Sequence, residues 1–270
     1  MNLMSGRRRG VAASCLALLL FAVAACTGGP AGGGNDKAAM AAPKLLACRV
    51  LSPGDIQHPS NDDPAVACTS DHTAETFAVG TFPAALSHKD DPDDPALGAY
   101  IYHRCQPGFQ RFLGGDVSLV LRSTMTWAWF RPAKAAWAKG AHWWRCDVVG
   151  GGEQSKSFVQ LPTTAKGLLL GKPDDRWLVC ADGPTVSGSV KIPCSEPHTW
   201  RAVTTIVVGK SSDAYPGDHV VEVRTRDFCS QSVGAVLNYP VGYDYGYTFF
   251  HAAEWKAGNR RSICWAKTKQ

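Results

Sequence analysis

The sequence has little excess charge of either sign. Its 270 residues carry 28 basic and 23 acidic side chains, and three of the basic ones, Arg7, Arg8 and Arg9, stand together near the start. Setting those aside leaves 25 against 23. A balance this close lacks the basic footprint of a nucleic-acid binder. There is also no second long apolar run. Val11 to Ala24 is uncharged and apolar, shorter than the about 20 residues a spanning helix needs but suited to the core of a signal peptide. The acidic stretch His88 to Asp94 lacks the spaced ligands and the glycine of an EF-hand, and Pro92 and Pro95 make it read as a solvated loop. The arginine pair lacks the rest of a twin-arginine motif, so the export route stays open.

The start of the chain has the order of an export segment. Basic residues precede the apolar run, and Val23-Ala24-Ala25-Cys26 resembles a bacterial lipobox. Residues 1–25 therefore read as a lipoprotein signal peptide, with Cys26 the lipidated first residue of the mature chain. Residues 26–44, rich in Gly and Ala, read as a flexible tether. The expected location is the outer face of the cell membrane, held there by the lipid on Cys26.

Two stretches further along share one spacing. Cys68 stands four residues before His72, and Cys194 four before His198, 126 residues later. Trp137 and Gly140 precede Cys146 as Trp255 and Gly258 precede Cys264, with tryptophan to cysteine nine residues both times. Eight cysteines follow the export segment in two sets of four, which reads as an internal duplication. An even number in an exported chain points to disulfides. Four cysteines allow three pairings per set, and the preferred one joins first to second and third to fourth: Cys48–Cys68, Cys105–Cys146, Cys180–Cys194 and Cys229–Cys264. The first two of each set are expected on neighbouring strands, and the third on a helix face above the last strand. Each bridge would contribute about 2–4 kcal/mol by restricting the unfolded chain.

The expected fold class is α+β: two tandem, disulfide-stapled β-β-α-β-β units, each a small antiparallel sheet with one helix. Residues 45–171 form the first and 172–270 the second, with the link Gly150 to Asp175 containing GGGEQ and GKPDD. Apolar spacing predicts a helix over Pro95 to Leu113, with Leu97, Ile101, Cys105, Phe109 and Phe112 near one face. A second is predicted over Asp218 to Leu237, with Val221, Phe228, Cys229, Val233 and Leu237 sharing a face. Strands are expected around Cys48, over Ala74 to Phe82, as one long strand from Val117 to Phe130, and in HWWRCDVV, WLVCA, RAVTTIVVG, YGYTFFHA and RSICWA.

The pattern resembles the septum-formation domain family of actinobacterial exported and membrane proteins. The resemblance rests on Pro193-Cys194-Ser-Glu-Pro197-His198, Tyr215-Pro216-Gly217-Asp218, Cys229, Trp255, Gly258, Arg260 and Cys264 in the second copy. In the first it rests on Cys68, His72, Glu75, Cys105, Trp137, Gly140 and Cys146. The copies depart from one another where Glu75 faces Arg201, His142 faces Arg260 and Asp71 faces Pro197, so a catalytic set built on these would be incomplete in one copy. The resemblance implies a link to septum formation or envelope maintenance and names no reaction, cofactor or catalytic residue.

A nucleophile reading of Cys-x-x-x-His needs a free thiolate and a base in contact, yet on a strand positions i and i+4 lie about 13 Å apart. A zinc reading needs about four ligands, and one such motif is half a site. The expectation is therefore structural: bridged Cys68 and Cys194, with His72 and His198 ordering a turn through ring hydrogen bonds to backbone. No catalytic residue, metal or cofactor is expected. The leading function is a non-enzymatic module that binds an envelope or division protein or peptidoglycan. The alternative is a wall- or lipid-acting hydrolase with His72 or His198 as base. Aromatic clusters offer an exposed ledge for glycan or protein, and the tyrosine-rich stretch near Tyr239 to Tyr247 offers a third possibility, a sensor for a small ligand. The clusters comprise Trp127, Trp129, Phe130, Trp143 and Trp144 in one copy, and Tyr239, Tyr243, Tyr245 and Tyr247 in the other.

Overall fold

A computed structural model describes residues 39–87, 92–151 and 155–268. The basic and apolar export segment, Cys26 and most of the tether lie outside the described residues, as does part of the acidic stretch from His88.

Two antiparallel sheets carry the chain. The first comprises β1 (Cys48–Arg49), β2 (Ala74–Thr81), β3 (Thr126–Phe130) and β4 (Trp143–Val149), in the order β1-β2-β4-β3. Between β2 and β3 run α1 (Ala84–Ser87), α2 (Pro95–Leu113) and α3 (Val117–Leu121), and α4 (Lys134–Ala138) precedes β4. The second sheet comprises β5 (Val179–Asp182), β6 (Val190–Pro193), β7 (Trp200–Val207), β8 (Tyr245–Thr248) and β9 (Arg261–Lys267), in the order β6-β5-β7-β9-β8. Its helices are α5 (Asp218–Val236) and α6 (Ala252–Lys256).

The two sheets follow one plan. Adding 126 to the bounds of β2 gives those of β7, and adding 118 to those of α4 and β4 gives those of α6 and β9. Both long helices are 19 residues. Each sheet is bulged at the same place, between Thr76 and Ala78 and between Ala202 and Thr204, where Ala78 pairs with Cys146 and Thr204 with Cys264.

Local chemistry explains α2. Asp94 caps its start through the Ala96 amide, at 2.8 Å, and Pro95 needs no amide partner there. Gly114, at φ 76°, ends it. Its buried stripe is Leu97, Ile101, Cys105, Phe109 and Leu113, which packs with Phe77, Trp144, Cys146 and Val148 of the sheet. Phe112 is only partly buried. In α5 the stripe is Val221, Thr225, Cys229 and Val233, and the Thr225 hydroxyl donates to the Val221 carbonyl at 2.7 Å. Phe228 and Leu237, expected on that face, are exposed.

Four expectations are corrected. Val117 to Phe130 is not one strand: Asp116 accepts from the Leu119 amide at 2.7 Å and starts α3, and only Thr126–Phe130 is extended. Neither sheet has only one helix: the Trp-x-x-Gly segments are one-turn helices, α4 and α6, ended by Gly140 and Gly258 at φ 95° and 100°. The second sheet has a fifth strand, β6, only four residues long and ending on Pro193, too short to show alternation. Cys68 and Cys194 also lie outside named strands, Cys68 in a turn after the isolated bridge of Val66 to Cys48 and Cys194 directly after β6.

Both faces of the first sheet are covered, which is how the adjacent Trp143 and Trp144 are both buried. Trp144 packs with α2, and Trp143 packs with Leu51, Phe130 and Phe158 on the other face. The link also packs. Phe158, Leu161, Ala165 and Leu169 are buried against the first sheet and its helix. The sheets then join through Ser123 and Leu178, with Thr124 donating to the Trp177 carbonyl and Val179 to that of Arg122, both at 2.9 Å.

Candidate functional site

The two Cys-x-x-x-His corners are built alike. Cys68 is bonded to Cys48 and Cys194 to Cys180, with Cα separations of 5.3 and 4.9 Å. His72 Nδ1 lies 2.8 Å from the Ser70 carbonyl and His198 Nδ1 2.7 Å from the Glu196 carbonyl. A carbonyl only accepts, so Nδ1 carries the proton in both rings. Both histidines are buried, 1% and 5% exposed. Each ring closes the turn that launches β2 or β7. No thiolate stands beside either histidine, because both sulfurs are in bridges.

The residues just beyond diverge in type but share a task. Glu75, 2% exposed, accepts from the Ala165 amide at 2.6 Å and from the Thr164 hydroxyl at 2.9 Å. Arg201, its counterpart, pairs with Asp175 and holds that carboxyl below its usual range through their hydrogen bond. Each side chain therefore fastens a part of the link.

The remaining bridges, Cys105–Cys146 and Cys229–Cys264, staple α2 to β4 and α5 to β9. Trp137 packs edge-on to Phe82 and His142, at 5.6 and 4.7 Å. Trp255 has the Arg260 guanidinium 3.5 Å over its ring, and Arg260 donates to the Trp255 carbonyl at 2.7 Å. Gly258 rests on the first half: a Cβ there would come within 3.2 Å of the Tyr102 ring of α2, whereas one on Gly140 would meet open space. Tyr215 touches Trp255, and its hydroxyl donates to Asp218, which also binds His251. Burial and that bond push the Tyr215 phenol up to about 12, and the Tyr215 and His251 bonds hold the Asp218 carboxyl low. These groups tie the starts of α5 and α6 together.

Two further concave surfaces lie among the described residues. One, of about 950 Å³, runs along β3 and is walled by Ile56–Pro59 and by Ser187–Lys191. The other, of about 670 Å³, runs along Asp244 to Phe249 and is walled by Pro184–Ser187, with Glu222, His251 and Lys267 at its margin. Both follow edge strands, β3 and β8, which hold the same place in their sheets. Neither is lined by His72 or His198.

A family model described as septum formation matches residues 48–264. The chain belongs to the septum-formation family. The match begins and ends on bridged cysteines and takes in both sheets. No curated protein and no solved structure matches the chain.

Among the residues that carried the family resemblance, the fold brings together each cysteine pair, each histidine with its turn, and Trp255 with Arg260. It does not bring His72 and Glu75 into one cluster with the tryptophan turns. Sequence reasoning singled out Trp127, Trp129, Tyr245 and Tyr247 but not what surrounds them: the 184–191 loop, Glu222, Asp244 and Lys267. One signal was present, the alternation Tyr245-x-Tyr247-x-Phe249-x-His251, which marks a strand with one aromatic face.

Proposed function

We propose that this septum-formation protein is a non-enzymatic, lipid-anchored module on the outer face of the cell membrane. It is built of two tandem copies of one α+β unit, residues 45–171 and 172–270, and binds another protein of the septum or envelope. The observation that carries the reading is that the two concave surfaces lie along equivalent edge strands, while the sulfur and imidazole groups of the motif are spent on bridges and turns. Four bridges suit an oxidising compartment, and the Val23-Ala24-Ala25-Cys26 order supports the lipid anchor.

The test is in cells. The natural chain is expected to take up labelled fatty acid and to concentrate at division sites, and Cys26→Ala to lose the label and leave the membrane. A cytoplasmic, unlabelled natural chain would sink this reading. So would a wall- or lipid-hydrolysing activity that His198→Ala or His72→Ala abolishes while the melting temperature stays unchanged.

A further inference from the structure

We infer that the free edge of β8 is a docking site for an extended peptide segment of a partner protein, bound by strand addition. This rests on the binding-module reading and names the chemistry of the partner.

The backbone argues it first. The Lys267 amide donates to the Asp244 carbonyl at 3.2 Å. In an antiparallel pair the groups of alternate residues point inward and outward. Gly246 and Thr248 therefore bond to β9, and the N–H and C=O of Tyr245 and Tyr247 point away from it. Among the described residues nothing bonds to those four groups. β3 has the same parity, because the Arg131 amide donates to Pro59 rather than to β4. Its outward groups belong to Trp127 and Trp129, the counterparts of Tyr245 and Tyr247 by the offset of 118. The β3 edge is hemmed at both ends, by Pro59 at Arg131 and by Trp177 at Thr124. β8 is the more open of the two.

The walls argue the occupant. An unpaired edge repeats its donors and acceptors at the spacing of another extended backbone, which is how strand-adding ligands gain affinity. The trough is flanked on one side by the 184–187 loop. Val186 of that loop lies so close that a Cβ on Gly246 would meet it at 2.6 Å. On the other side, toward α5, stands the Tyr247 hydroxyl, donating to Glu222 at 3.1 Å, while the Asp244–Lys267 pair, at 2.8 Å, lies on the Val186 side with Lys267 over the Trp200 ring. Lys267 is paired with Asp244 and Arg226 with Asp227, and among the described residues no cation pairs with Glu222, which leaves its carboxylate for a donor on the ligand. The fitting segment is extended and proline-free. It places basic or hydroxyl side chains at the alternate positions facing Glu222, and small apolar ones facing Val186.

The test is selection of peptides from a displayed random heptapeptide library on the oxidised full-length chain, followed by synthesis of the winners with single backbone N-methyl groups. The expected result is proline-free peptides with a two-residue alternation. N-methylation at every second residue should weaken them more than tenfold, and at the residues between should leave them unchanged. Tyr245→Pro, which removes one outward N–H at the first position of an edge strand, should lose binding where Tyr245→Val keeps it, with the same disulfide map and melting temperature in both. No enriched peptide, binding indifferent to N-methylation, or binding that survives Tyr245→Pro would overturn strand addition. So would a chain that dimerises through β8, or one that binds chitotriose in competition with the peptides. None of these outcomes bears on fatty-acid labelling or septal location, so the two readings fail separately.

Discussion

The two sheets share their staples, corners and edges, and differ most on the face away from the long helix. On the first sheet that face buries charge. Arg49 donates to the Thr76 hydroxyl at 2.8 Å, Thr76 donates to Asp147 at 2.6 Å, and Arg145 pairs with Asp147 at 2.9 Å. Arg145 also reaches Asn61, at 2.7 Å, and stacks over Phe130. Burial pulls the Arg49 guanidinium below its usual range, with Arg145 adding to that. By strand register the matching positions on the second sheet are Ala181, Ala202, Ile263 and Trp265, an apolar cluster with Val186 and Trp200. The two sheets thus fill the corresponding layer in different ways. A satisfied polar network and an apolar cluster both remove the need for water there. The positions that cannot vary this way are those the backbone itself demands: bridges, turn-closing histidines and the glycines that end the short helices.

The largest test breaks the polar filling. Asp147→Ala leaves two buried guanidiniums without their carboxylate, and should cost about 5 kcal/mol in urea unfolding. Trp265→Ala, its counterpart, should cost about 3–5 kcal/mol through a cavity. A loss below about 1 kcal/mol for Asp147→Ala would mean the network is not the structural equal of the apolar cluster. Next come the staples. Removing Cys105–Cys146, which closes 41 residues, should cost about 4 kcal/mol, and removing Cys180–Cys194, which closes 14, about 3 kcal/mol. The reverse order would show that the unfolded chain is not what the bridges restrain.

A smaller contrast sits at the two glycines. Both have positive φ, so alanine strains either one. Gly258→Ala must also displace Tyr102, and is expected to cost about 2 kcal/mol against about 1 for Gly140→Ala. Equal losses in thermal melts would indicate that the contact with Tyr102 holds nothing. The smallest effect is electrostatic. Arg201 depresses the Asp175 carboxyl, so their pairing stabilises above the unfolded carboxyl value of about 3.9 and is lost as pH falls through the lower folded value. Half-exposed as Asp175 is, solvent screening should keep this below about 1 kcal/mol. Arg201→Ala should flatten the acid limb of the stability curve below about pH 4, and an unchanged limb would remove the pair from the account.

Elements governed by neighbours in sequence were legible. Asp94-Pro95 and Gly114 bracket α2, and its predicted bounds match those in the fold. Where a local signal competes with the apolar pattern, pattern reading erred. Val117 to Leu121 looks like a strand by composition, but the Asp116 cap makes it helical. Phe228 has the right spacing for the buried face of α5 and is still exposed, because the Thr225–Cys229–Val233 stripe covers the sheet without it. The candidate site was half legible. The aromatic residues could be seen, but not the neighbours that make a trough of them: Val186 and Glu222 lie about 60 and 25 residues from Tyr247 along the chain.

What the sequence determined by itself is whatever depends on spacing. The repeated cysteines, histidines and Trp-x-x-Gly segments fix a periodic framework, because bridges and tight turns constrain residues close along the chain. Strand order, and with it which strand is left without a neighbour, was decided only by the tertiary structure. Alternation tells which side chains share a face but carries no information about which backbone lies alongside. The open edges of β3 and β8 exist because β4 and β9 took the interior places, a choice made by long-range pairing and not by any residue in the edge strands themselves.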